Sequence, residues 1–483
     1  MDYKKVKKLL WQGAVAYWIL AVLIFVIAGE HFRFTLRSSD SLQPSMVVGE
    51  ITDGIELTQT IIPGYDRLDF IELYTGTYAR ENTGILVLDI LDGDGARISG
   101  GKLDADGLPN GAFAHVVLDT PIECKDAELT LRITSRGCSA GNAVTLYAGT
   151  AMAAGKFSVE QTFRDGEMYV MDGQRGAGAL CLILGGGNYL NFYKLYWPIV
   201  TTLFALAVVY VLLSWRATKQ GKNTLFVALG LMMTKYRFLI RQLVGRDFKI
   251  KYKRSVLGVA WSFLNPLLTM LVQYIVFSTL FSTSIANFPV YLLTGTVFFG
   301  FFNEATNVGL FSILGNASLI KKVYVPKYIY PFSKVLSSLV NFSLALLPLM
   351  LVVIITGTPL TWSMLLLIFD ILCFLCFISG MVLILSTMMV FFQDTQFLWS
   401  VASTLWMYMT PIFYPESIIP AKFLSLYHLN PLYQYITFAR VCIIDGISPQ
   451  PNMYLGCLLP AVVFLVIGGL IFRKKEDRFI MYL

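Results

Sequence analysis

The chain consists of long apolar runs separated by short basic blocks, and few folds accept that arrangement. A helix needs about 20 mostly apolar residues to cross the hydrocarbon core of a bilayer. Eight stretches qualify, roughly 9–28, 195–214, 256–281, 288–314, 330–356, 363–391, 397–415 and 453–472. Between them stand MDYKKVKK at 1–8, the segment 216–254, KKVYVPK at 321–327 and RKKEDR at 473–478. Cytoplasmic loops of membrane proteins collect Lys and Arg, and eight spans place every one of these blocks on the same side. The first apolar run is longer than the 7–15 residues of a signal-peptide core, so it reads as an uncleaved anchor. Charged residues make up 14% of the sequence, against roughly 25% in soluble chains. The net charge of +7 divides accordingly: residues 29–190 hold 12 Lys/Arg against 22 Asp/Glu, whereas the basic blocks together with Asp394 hold 22 against 5. A groove for nucleic acid would gather its cations on one surface, so nucleic acid is excluded as a partner.

Residues 29–191 follow a different pattern. Runs such as Leu129-Thr-Leu131-Arg-Ile133, IELYTGTYA (71–79), GILVLDIL (84–91) and AVTLYAG (143–149) alternate with the period of a half-buried strand. Turn chemistry separates them, with PGYD at 63–66, DGDG at 92–95 and DADGLPNG at 104–111. This predicts an antiparallel β-sandwich outside the membrane, loosely similar to the jelly-roll modules that bind carbohydrate. Its aromatic residues Tyr65, Tyr74, Tyr78, Phe113 and Tyr147 could stack on sugar rings, although core or edge packing is the simpler account of each. The Asp92-Gly-Asp94 and Asp104-Ala-Asp106 pairs read as turn residues, because the further acidic ligands of a calcium loop are missing. Gly149 to Lys156 is no P-loop: five residues separate its glycines, and Phe157 stands where Ser or Thr must reach magnesium. Cys124 and Cys138, 14 residues apart in an oxidising compartment, are candidates for a disulfide, with Cys181 left over. No His, Cys and carboxylate spacing reads as a metal site, and the CxxC at Cys373 and Cys376 lies inside an apolar run.

Identity is concentrated after residue 235. In KYRFLIRQLVGRDFKIKYKRSVLG, Tyr236, Leu239, Ile240, Leu243 and Val244 share one helical face. Arg237, Arg241, Arg246, Lys249, Lys251, Lys253 and Arg254 occupy the rest. This predicts an amphipathic helix in the cytoplasmic interface, its apolar face in lipid or against protein. RDFKIKYKRSVLGVAWSFLNPL (246–267), SLIKKVYVPKYIYP (318–331), TPIFYPESIIP (410–420) and HLNPLYQYITFAR (428–440) follow in that order. Together they resemble the polysaccharide-export branch of the ABC type-2 transporter permeases, which carries O-antigen, capsular polysaccharide or teichoic acid. The resemblance covers roughly 232–483, and the first 215 residues have no place in that pattern.

The resulting fold class is an α-helical polytopic membrane protein of about eight transmembrane helices with a six-span core, plus an extracytoplasmic all-β sandwich. The boundaries are 1–28 for the N-terminus and first span, 29–191 for the β-domain, 192–215 for the second span, 216–255 for the linker and amphipathic helix, and 256–483 for the core. The resemblance implies a coupling helix near 316–327, where Lys321, Lys322, Val323 and Tyr324 transmit movement from an ATPase, and a re-entrant segment near 411–445. It also implies a homodimer of this chain working with two copies of an ATP-binding subunit. ATP and magnesium would be held by that subunit, with no cofactor bound here and no enzymatic activity of the chain itself. The location implied is a bacterial plasma membrane, with both termini cytoplasmic.

Arg237, Arg241, Arg246 and Lys249 would stand at the entrance for a lipid-linked pyrophosphate, since cations are the natural partners of that group. Trp261, Tyr274, Phe277, Trp399, Trp406 and Tyr408 are candidates for a glycan path. Glu304 would face a polar interior beside Asn303 and Asn307, and Lys334 and Asp370, near span ends, would snorkel. Export of a small hydrophobic drug or lipid is the alternative within transport, and sensing of cell-wall glycan by a membrane receptor is the alternative outside it. A membrane glycosyltransferase lacks a cytoplasmic donor-sugar site.

Overall fold

A computed structural model describes residues 3–29, 31–39, 41–108, 110–125, 127–149, 169–176, 178–219, 234–253, 256–281, 287–322 and 325–483. The chain forms two units, a helical one of residues 1–31 and 192–483 and a β unit of residues 32–191. The segment Gly149–Lys156, with Phe157, and the coupling residues Val323 and Tyr324 fall wholly or mostly outside the described residues.

The helical unit begins with α1 (Tyr3–Ala28) and α2 (Phe192–Lys219). They are fastened reciprocally: Tyr17 donates to the carbonyl of Val200 at 2.8 Å and Tyr196 to that of Ala21 at 2.7 Å. Then come α3 (Arg237–Tyr252), α4 (Ala260–Phe281), α5 (Phe288–Leu310), the short α6 (Ala317–Lys322), α7 (Ile329–Ile355) and α8 (Leu367–Phe391). The remaining helices are α9 (Thr395–Tyr408), α10 (Ala421–His428), α11 (Pro431–Arg440) and α12 (Pro451–Lys475), followed by the short α13 (Phe479–Tyr482). Six helices among the described residues are long and apolar enough to cross a membrane. Phe288–Leu310 with Leu314–Lys322, bent by 55°, makes a seventh when counted as one span. The apolar stretch at 397–415 behaves differently, because its helix α9 has only 14 residues. At 1.5 Å per residue that is about 21 Å, short of the roughly 30 Å of hydrocarbon. Pro411, Pro415 and Pro420 explain the early end, since proline lacks the N–H that continues a helix and disfavours helical backbone before it. The chain continues through α10, α11 and a π-helical turn at Val441–Asp445 before α12.

Inside the bundle, α8 and α12 approach backbone to backbone. A Cβ placed on Gly380 would meet the backbone of Phe464 at 2.3 Å, and one on Gly468 would meet the carbonyl oxygen of Gly380 at 2.3 Å. Lipid tails are as apolar as leucine, so small residues that permit close packing hold such helices together.

The β unit is an all-antiparallel sandwich. Its first sheet has seven strands in the order β1 (Phe34–Ser38), β13 (Leu182–Tyr189), β4 (Arg67–Gly76), β9 (Thr145–Gly149) and β12 (Ala179–Leu180), with β2 (Met46–Glu50) on β9 and β7 (Ala112–Glu123) on β4. The second has six, ordered β11 (Gln174–Arg175), β10 (Val170–Met171), β3 (Leu57–Ile61), β8 (Leu129–Arg136), β5 (Ile85–Leu91) and β6 (Arg97–Asp104). Alternate residues of both sheets form one core, including Leu57, Leu86, Leu88, Leu131 and Ile133 from one sheet and Ile71, Leu73, Val116, Leu146 and Leu184 from the other. The Asp92 carboxylate caps its own turn by accepting from the N–H groups of Asp94 and Ala96, as the turn reading of DGDG requires. Tyr74 packs edge-on against Phe113 and Tyr147 at ring separations of 5.0 and 5.3 Å.

The expected disulfide is corrected. Cys124 and Cys138 are both free and buried, and their thiols donate to different carbonyls, those of Tyr65 and Thr83. The two cysteines bracket the eight-residue strand β8, which rises about 3.3 Å per residue and sets them at opposite ends of the sandwich. Bridging needs Cα atoms within about 7 Å. Burial pushes the Cys124 thiol up to about 11.

Asp53 organises the far end of that strand, accepting from the N–H of Cys138 at 3.0 Å, the N–H of Gly137 at 2.8 Å and the hydroxyl of Ser135 at 3.1 Å. The Cys138 N–H contributes most, burial opposes it, and together the three donors hold the Asp53 carboxyl below the usual carboxylate value. A depressed acid contributes stability above its unfolded value, about 4, and loses it as pH falls through the folded value. Hydrogen-exchange protection at Gly137 and Cys138 is therefore expected to fall selectively below about pH 4, and Asp53→Asn should remove that pH dependence.

Candidate functional site

The sequence makes α3 amphipathic, and the structure shows what covers its apolar face. Leu243 is buried, and Leu239, Ile240 and Tyr236 pack with it against Ile313, Ile320, Ile329, Tyr330 and Phe479. The face meets protein. The same cluster includes Ile320 of α6, so α3 and the short helix carrying Lys321 and Lys322 share one packed core. Both lysines are exposed. Arg237, Arg241 and Lys249 are exposed too and form no ion pair among the described residues, while Arg246 reaches Asn316 at 3.4 Å and Asp247 at 3.3 Å.

Toward its C-terminal end α3 follows α7 into the bundle. Asp247 pairs with Lys334 at 2.7 Å, and one turn on Lys251 pairs with Glu304 of α5 at 2.9 Å. Asn341 of α7 donates to the same Glu304 oxygen at 2.5 Å, and Tyr252 bonds to Ser262 and donates to Asn341 at 3.3 Å. Lys334 and Asn341 lie seven residues apart on α7, about 10 Å along a helix. The basic end of α3 therefore runs beside the core helices α5 and α7.

Two expectations change accordingly. Lys334 does not snorkel, because Asp247 supplies its counter-ion. Asp370 does not snorkel either: it is fully buried and accepts from the Cys457 thiol at 3.6 Å, since the side chains of α8 and α12 close over it. Glu304 does face polar partners, but Asn307 bonds to Asn303 at 2.8 Å and not to Glu304. Asp247, Lys251 and Asn341 were not distinguishable in the sequence from neighbouring polar residues, and for Lys334, which was, the partner was not visible.

The candidate aromatic path does not assemble as a set. Trp399 and Trp406 meet Phe302 at 6.0 and 5.4 Å, and the Trp406 indole donates to Asn430 at 2.7 Å. Phe277 stacks on Phe413 at 5.5 Å, whereas Trp261, Tyr274 and Tyr408 are exposed on the outside of the unit. Sequence spacing does not say which face of a wholly apolar helix meets a neighbour.

The second polar centre holds the segment that follows α9. The Arg440 guanidinium is buried without a carboxylate among its described hydrogen-bond partners. It donates to the carbonyls of Pro411 at 2.7 Å, Ile412 at 3.1 Å and Tyr291 at 3.1 Å, and lies 3.4 Å above the Tyr291 ring. The Tyr291 hydroxyl in turn donates to the Tyr414 carbonyl at 2.8 Å. The missed signal was a charged residue closing an otherwise apolar stretch, HLNPLYQYITFAR.

Residues 238–444 match the ABC-2 type transporter family. The O-antigen export system permease protein RfbA of Myxococcus xanthus is 33% identical over 249 residues, which are 51% of this chain and 95% of that protein. The chain belongs to the ABC-2 type transporter family. Two Klebsiella pneumoniae proteins, each an O-antigen export system permease protein RfbA, are 31% and 30% identical over 247 and 244 residues, half of this chain and 93% of each. These relatives agree with the polysaccharide-export resemblance carried by the sequence. This ABC-2 permease is a multi-pass membrane protein, and its family match takes in both ion pairs of α3, Lys321 and Lys322, and Arg440. The β-sandwich lies wholly ahead of the match.

Proposed function

We propose that the chain is the transmembrane subunit of an ATP-driven exporter that moves a lipid-linked polysaccharide, of O-antigen, capsule or teichoic-acid type, from cytoplasm to outside. The observation that carries this reading is the near-complete coverage, 95%, of an O-antigen export permease by the C-terminal half of the chain. The positive-inside pattern supports cytoplasmic termini and an extracytoplasmic β-domain. On this reading two copies of the chain assemble with two copies of a separate subunit that binds ATP and magnesium. α6 docks on that subunit through Lys321 and Lys322, and the shared core with α3 carries its movement to the entrance. Arg237, Arg241, Arg246 and Lys249 receive the phosphate-bearing headgroup, and of the six candidate aromatics the exposed Trp261, Tyr274 and Tyr408 are the ones open to a sugar chain.

The test is reconstitution of the chain with its ATPase in vesicles carrying lipid-linked glycan. Transport should require ATP, and glycan should stimulate hydrolysis where lipophilic drugs do not. Replacing Lys321 and Lys322 together by Glu should reduce export at least about tenfold, through weaker docking or through hydrolysis no longer linked to transport. Undiminished export by that double variant would sink the docking assignment, and stimulation by drugs alone would favour the small-molecule alternative.

A further inference from the structure

The two ion pairs that tie α3 to the core have different surroundings. In Asp247–Lys334 the side chains are only 13% and 17% exposed, so the pair is closed off. In Lys251–Glu304 they are 45% and 32% exposed, so the pair is open to whatever approaches the end of α3. An open pair between a flexible lysine and a carboxylate is weak and easily separated. Separation would not leave Glu304 without a partner, because Asn341 donates to it at 2.5 Å independently of the lysine. Lys249 and Lys253, on either side of Lys251, are exposed, so the end of α3 has cations to spare for a second anion. A phosphate carries more charge than a carboxylate and three acceptor oxygens, which makes it the stronger partner for an ammonium group.

Resting on the proposed reading that an anionic carrier enters beside α3, we infer that Lys251 is a binding residue for the carrier's phosphate and that Glu304 is its exchangeable counter-ion. With the site empty, Glu304 holds Lys251 against α5. When phosphate arrives, Lys251 transfers to it and the last turn of α3 is released from α5. The closed pair of Asp247 and Lys334 keeps the helix attached to α7, so the movement is a pivot and not a detachment. The shared core of α3 and α6 then conveys occupancy toward Lys321 and Lys322.

The full chain in phosphatidylcholine nanodiscs, without the ATPase, is titrated with farnesyl diphosphate. Glu304→Gln keeps the Asn341 bond but removes the competing charge, and should bind about fivefold more tightly. Lys251→Gln should bind about tenfold more weakly. The double variant should match Lys251→Gln, because the gain from Glu304→Gln acts only through Lys251. Unaltered or weaker binding by Glu304→Gln, or a double variant that keeps the gain, overturns the exchange. Inorganic pyrophosphate that binds as tightly as farnesyl diphosphate assigns the anion to a soluble source and overturns the lipid carrier, and farnesol that binds as tightly as farnesyl diphosphate overturns the phosphate site at Lys251. Because no transport is measured, failure of the exchange and failure of the export reading give different results.

Discussion

Replacing Arg440 by Met is expected to lower the stability of the helical unit by about 3 kcal/mol and to abolish export. The guanidinium is the donor for three carbonyls, those of the consecutive Pro411 and Ile412 and that of Tyr291 in α5. A buried acceptor that loses its donor costs about 1–3 kcal/mol. Part of that cost is offset, since the buried cation and its desolvation also disappear. Methionine fills the volume and keeps contact with the Tyr291 ring, so the loss reports the hydrogen bonds and not a cavity. Arg440→Lys should recover less than half, because an ammonium lacks the planar fork that reaches three carbonyls at once. Gly295→Ala should resemble a mild form of the arginine variant, since a Cβ there would stand 2.7 Å from an Arg440 nitrogen. The measurements are thermal unfolding in detergent and export from reconstituted vesicles. A stable, active Arg440→Met would show that the segment around Pro411 and Ile412 is held by something else.

Gly380→Val is expected to act on assembly of the bundle. The new Cβ would press on the Phe464 carbonyl at 2.3 Å and the Leu465 nitrogen at 2.5 Å, and both are backbone atoms that cannot turn aside. The helices must separate along the contact that also includes Gly468. Overpacking typically costs 1–3 kcal/mol, and a clash with backbone on both sides should reach about 3 kcal/mol or more. Accumulation in the membrane and resistance to detergent should fall sharply for Gly380→Val and about half as far for Gly380→Ala. Normal accumulation of the valine variant would mean that α8 and α12 pack less closely than the glycines indicate.

The legible parts of this chain are those governed by a fixed length or period. The spans could be read because hydrocarbon thickness sets the number of apolar residues, and the sandwich because strands repeat every two residues between turns. The apolar face of α3 was visible for the same reason. The pairings were not visible. Asp247 with Lys334 and Lys251 with Glu304 join residues far apart in sequence, and in a membrane helix every face is apolar enough to be the packed one. Cys124 and Cys138 misled because spacing counts residues and ignores that an extended strand carries its ends apart. The stretch at 397–415 misled because hydropathy does not register what Pro411 does to a helix. Arg440 was in plain view, but its value depends on three carbonyls that only the folded chain brings together.

The first and last strands of the sandwich are partners, with Phe34 opposite Tyr189 and Ser38 opposite Gly185. The chain thus enters and leaves the domain at neighbouring points, as a cassette does. Any other domain whose termini meet in the same way would close the same gap between α1 and α2. The β unit can accordingly be exchanged by grafting, with the permease core left as it is.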